Sequence, residues 1–94
     1  MKPVVVTHNL PLDRLRPAAE RIAGDLQQRY GGSWEWVAEH ALQFRHQMVA
    51  GTLCLFGDRV ELAINLGPAL RLFASRIHQG LTTEIAARLH EAAQ

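Results

Sequence analysis

The residue types that carry chemistry are few in this chain and poorly placed for it. Five histidines, His8, His40, His46, His78 and His90, are spread along 94 residues. None pairs with another at i, i+4 spacing, and none stands near a second donor at zinc-ligand spacing, so no metal centre is expected. The single cysteine, Cys54, falls mid-strand between Thr52 and Phe56. With His46 or His40 nearby across the strands it has the ingredients of a thiol nucleophile. Nucleophilic cysteines need an electropositive, accessible niche, however, and packing is the expected role here. Glu35, Glu39, Asp58 and Glu61 are scattered over outward positions and turns rather than paired for proton transfer. Gly31-Gly32 follows a helix instead of preceding one, the wrong polarity for anion capture. Arg14, Arg16, Arg21 and Arg29 make the first helix mildly basic, but Asp13, Glu20 and Asp25 interleave them, which describes a solvated face. No nucleophile–base set emerges. The expectation is a protein that is not an enzyme and holds no cofactor.

The scaffold that positions these residues is small. Its length suits one domain, residues 1–94. Apolar residues make up 48% and charged residues 20%, an ordinary globular balance. A net charge of +1 gives no field to steer the chain to nucleic acid, and none is expected as a partner. One cysteine allows no internal disulfide, which fits a reducing compartment. Val4-Val5-Val6 is followed at once by Thr7-His8-Asn9, too short a run for a signal-peptide core. No run approaches the roughly 18–20 apolar residues of a membrane span. The expected location is the cytoplasm.

Hydrophobic spacing divides the chain into elements. Pro3–His8 is β-rich and ends at Asn9-Leu10-Pro11, a short first strand at or near a sheet edge. Leu12, Leu15, Ala19, Ile22, Leu26 and Tyr30 then recur at helical steps. Asn9 and Asp13 are the candidate caps; Pro17 either marks the true first turn or bends the helix. Gly31-Gly32 ends it. The period next changes to two. Ser33–Val37, Ala41–His46, Val49–Phe56 and Arg59–Leu66 read as four strands of an antiparallel meander, with turns at Glu39-His40 and Gly57-Asp58. After Gly67, Pro68 fits the first position of a closing helix whose stripe is Leu70, Phe73, Ile77, Leu81, Ile85 and Leu89. Unbroken from Pro68 to Ala92, this helix would be about 37 Å long. It must then overhang strands of about 27 Å, or bend, with Gly80 as the place for a bend or a close contact. The fold class is α+β, a two-layer sandwich in the order β-α-β-β-β-β-α with both helices on one face of the meander. In that packing Trp34, Trp36, Phe44, Leu53, Leu55, Leu62 and Ile64 meet Ile22, Leu26, Phe73, Ile77 and Leu81.

Two surfaces stand out as candidate interfaces. On the outer sheet face Thr52, Cys54, Phe56 and Ala63 form an apolar centre ringed by Glu35, Gln43, Arg45, Glu61 and Asn65. An open antiparallel face should be more polar, and such a patch suits a homodimer. The second surface is Leu70–Ile77. Leu72 lies off the main stripe between Arg71 and Arg76, which widens the apolar face and flanks it with cations. That pattern suits docking on an amphiphilic surface, or an ordinary core helix with snorkelling arginines.

The whole chain resembles the polyhydroxyalkanoic acid system proteins, short bacterial proteins encoded near polyester-storage genes. Three segments carry the resemblance. The first is His8-Asn9-Leu10 running into Leu15, Ala19 and Ile22 and ending near Tyr30-Gly31. The second is the meander, with Trp34–Trp36, Leu42-Gln43-Phe44, Gly51-Thr52-Leu53 and Val60–Leu66. The third is Leu66-Gly67 followed by Leu70, Phe73 and Ile77. The resemblance implies an association with the polyhydroxyalkanoate granule or a granule protein, and it supplies no catalytic residues. Two functions follow as expectations: a binding or structural protein of the storage system, or a small carrier of a hydrophobic acyl ligand held between the sheet and the last helix. The aromatic rings of Trp34, Trp36, Phe44 and Phe73 motivate the second, although a core this small needs rings simply to fill space.

Overall fold

A computed structural model describes residues 3–93. Residues 1, 2 and 94 of the expected domain lie outside the described ones. Strand β1 is Val4–Thr7, helix α1 Leu12–Tyr30, β2 Ser33–Ala38, β3 Ala41–Arg45, β4 Val49–Leu55 and β5 Arg59–Leu66. A 3-10 turn over Pro68–Phe73 leads into helix α2, Ala74–Ala92. All strands pair antiparallel in the order β1-β5-β4-β3-β2. The α+β sandwich read from the sequence is the architecture that forms.

Period-two alternation sets the register. Val4 sits opposite Leu62, Leu62 opposite Leu53, Leu53 opposite Leu42, and Leu42 opposite Trp36. One row of apolar side chains therefore crosses the entire sheet on the helix side. A one-residue slip would turn the whole row to water. Leu15, Leu42, Val60, Val4 and Ile85 are the largest fully buried side chains. Ala18, Ala19 and Ala23, each 2% exposed, give α1 a small-residue face buried in the core.

The entry to α1 differs from the expected caps. Pro11 holds the N-cap position without a side-chain cap, and Asp13 lies in the first turn. Leu10 before the cap and Leu15 inside the helix are both buried, so an apolar staple fixes the entry instead of Asn9 or Asp13. His8 reinforces it. Its Nδ1 accepts the Leu10 N–H at 3.0 Å, which leaves Nε2 to donate to the Phe56 carbonyl at 2.8 Å. Pro17 lies inside α1, not at its first turn.

The last helix also departs from expectation. Pro68–Phe73 closes as a 3-10 turn, and α2 runs unbroken through Gly80. The break comes at the front, where Pro68 follows the last strand. No residue of Pro68–Phe73 is buried, and Phe73, expected in the core, is 51% exposed. Of the apolar stripe of α2 itself, only Ile85 and Leu89 are buried. Asp25 pairs with Arg88 and Arg29 with Glu84, so α1 and α2 run antiparallel.

Candidate functional site

Ahead of the buried Ile85 and Leu89, where α2 and the 3-10 turn before it bury no side chain fully, an apolar groove of about 550 Å³ opens. Such a volume lies within the roughly 300–1,000 Å³ of small-molecule sites. Phe44, Gly51, Leu62 and Ile64 line it from the sheet, and Leu26 and Tyr30 from the end of α1. Leu70, Phe73, Ile77, Gly80 and Leu81 line it from the 3-10 turn and α2.

Three local features open this space. On the sheet, Gly51 stands between Phe44 and Ile64 in the register and adds no side chain of its own, with Leu62 Cδ1 3.2 Å from where its Cβ would stand. On α2, a Cβ placed at Gly80 would meet nothing within 4 Å. At the turn, three residues per turn rather than 3.6 rotate Leu70 and Phe73 out of line with the rest of the stripe. Gly67 anchors this turn by donating its N–H to the Met48 carbonyl at 2.8 Å.

Charged side chains gather on one side of the groove. Arg29 and Arg88 both approach Glu84, at 3.5 and 3.8 Å. Arg88 also lies 2.5 Å from Asp25 Oδ2 and bonds Glu91 at 3.0 Å. Asp25 Oδ2 and Glu84 Oε1 are buried without a well-directed hydrogen bond, so ionic contact alone offsets their loss of water. Burial works against the Arg88 charge, but the Glu91 hydrogen bond and the carboxylates of Asp25, Glu91 and Glu84 outweigh it and raise its pKa above the ordinary arginine value. Arg29, Arg76 and Glu84 are the charged residues that line the groove. Among the described residues Arg76 forms no ion pair.

The six residues expected at an interface fall into two groups on opposite sides of the sheet. Cys54, Phe56 and Ala63 lie on the outer face, Cys54 half-buried and the other two exposed. The Arg59 guanidinium stacks 4.3 Å from the Phe56 ring, and hydrogen bonds to Glu61 and Asp58 raise its pKa. Leu72, Arg71 and Arg76 lie at the front of α2, all exposed, with Leu72 at 90%. Of the potential thiol partners, His40 sits beside Cys54 in the register, its carbonyl accepting the Leu55 N–H at 2.8 Å, and His46 stands apart. Cys54 pairs with Ala41 on the outer face, whereas His46 follows the far end of β3 and lines the groove. No cluster of three or more potential metal ligands occurs among the described residues. No described helix is long and apolar enough to cross a membrane.

Of the four rings expected around an acyl ligand, Phe44 and Phe73 line the groove. Trp36 instead binds α1: its Nε1 donates to Glu20 at 3.0 Å and Arg16 stacks 4.2 Å above it. The sequence reading passed over the glycines as site residues. Gly80, exposed on α2, and Gly51, whose neighbours lie on two other strands, both line the groove without adding a side chain to it.

A family model described as "Putative polyhydroxyalkanoic acid system protein" matches residues 3–89. No curated protein and no solved structure is similar enough to match.

Proposed function

The chain belongs to the polyhydroxyalkanoic acid system protein family, and from that premise we propose that it is a non-enzymatic binding and structural protein of polyhydroxyalkanoate storage, acting in the cytoplasm at the granule surface. The observation that carries this reading is Leu72. It is 90% exposed, it follows Arg71, and the half-exposed Phe73 stands next to it. Burying one such leucine on an apolar surface contributes about 1.5–3 kcal/mol. Arg71 and Arg76 keep their charges in water at the rim of the contact. Self-association through the outer sheet face, around Cys54, Phe56 and Ala63, belongs to the same reading and would present more than one such contact to the granule.

The test is co-sedimentation of the purified protein with washed granules across a salt series. Binding should survive high salt and be lost in Leu72→Glu, a substitution at an exposed position that leaves the melting temperature nearly unchanged. Absence of binding at every salt concentration would sink this reading.

The groove favours a second reading, a small binder of a hydrophobic acyl chain. What supports it is a volume within the range of small-molecule sites and a largely apolar lining.

A further inference from the structure

We propose that the groove beneath α2 takes a single-chain anionic amphiphile, with its tail along the Gly51 floor and its carboxylate head against Arg76. The proposal rests on the second reading above and names its ligand class.

The tail follows from the shape. The floor at Gly51 carries no side chain of its own and is bordered by Phe44, Leu62 and Ile64, all on the groove lining. Ile77 and Gly80 face this space from α2. An alkyl tail laid along this apolar lining takes each methylene it buries out of water, which favours binding. The head follows from the charges. Glu84, the carboxylate on the lining, is already shared by Arg29 and Arg88. Arg76 is exposed on the same lining and without an ion pair among the described residues. The uncommitted charge of the groove is therefore positive. A guanidinium takes a carboxylate through two parallel N–H donors, a stronger contact than a neutral head group makes. A cationic head would meet the arginines with no free carboxylate to receive it.

The experiment is calorimetric titration with laurate below its micelle concentration, beside 1-dodecanol and dodecyltrimethylammonium, which carry the same tail. Three proteins are compared: the unaltered chain, Arg76→Gln and Gly80→Phe. Laurate should bind tightest. Arg76→Gln should weaken laurate by roughly tenfold, a charge-assisted bond's worth, and leave dodecanol unchanged. Gly80→Phe should abolish both, because its ring occupies the groove. That variant is expected to fold, since its Cβ meets nothing within 4 Å and phenylalanine is the better helix former. Leu72 does not line the groove, so Leu72→Glu should keep laurate binding while losing granules. Equal binding of laurate and dodecanol, indifferent to Arg76→Gln, would overturn the anionic head and leave an apolar groove. Binding undiminished by Gly80→Phe would overturn the site. Failure of all three amphiphiles would overturn the acyl-binding reading with it.

Discussion

Gly32 is held at φ +93°, and a Cβ there would run into the Arg45 carbonyl oxygen. Both the backbone conformation and the close approach demand glycine. Gly32→Ala should cost about 1–3 kcal/mol, several degrees of melting temperature in a chain of this size. Gly57→Ala is the control: its φ is not positive and its Cβ meets nothing within 4 Å, so thermal denaturation should barely move. Equal melting temperatures for the two variants would refute this account. The Gly31-Gly32 pair was legible because a double glycine at the end of a periodic helix has few other uses. Gly51 was not. Its effect depends on Phe44 and Ile64 standing beside it across two strands, which no local pattern shows.

At the level of elements, the charged clip between α1 and α2 sets how the two helices meet beside the groove. Arg88 serves Asp25, Glu84 and Glu91 together. Arg88→Met should lower the melting temperature, because Asp25 Oδ2 and Glu84 Oε1 then stay buried with less cationic charge to offset them. Removing one partner of such a set is worse than replacing both. The double variant Arg88→Met with Asp25→Leu should therefore recover part of the loss in a thermal melt. No recovery would mean that Arg88 acts through packing of its stem. The strands and α1 were readable to within a residue or two because alternation and glycine stops agree there. The start of α2 was not, since Leu70, Phe73 and Ile77 satisfy a period of 3.6 whether or not the segment closes as a 3-10 turn. What separates the two is Pro68 joined to the Gly67–Met48 tether, a tertiary contact.

For the whole molecule, the two faces of one sheet differ in character. The helix side holds the core and the groove; the outer side offers Cys54, Ala63 and Phe56 within a ring of both charge signs. Sedimentation equilibrium should show twice the 10.5 kDa chain mass, and Phe56→Glu should return the monomer. A monomer in both would remove self-association from the proposed function. The family resemblance was legible along the chain, and the match over residues 3–89 agrees with it. The order of the sheet has a further consequence, in time rather than in space. Val4 pairs with Leu62, so the first strand made finds its partner only when most of the chain exists. Emerging at roughly 5–20 residues per second, Val4-Val5-Val6 waits for seconds as an unpaired apolar segment. The roof of the groove, α2, is synthesised later still. A nascent chain stalled before Ala74 would leave Phe44, Val49 and Ile64 open to whatever apolar surface is near, so the groove has no walls on that side until α2 has emerged.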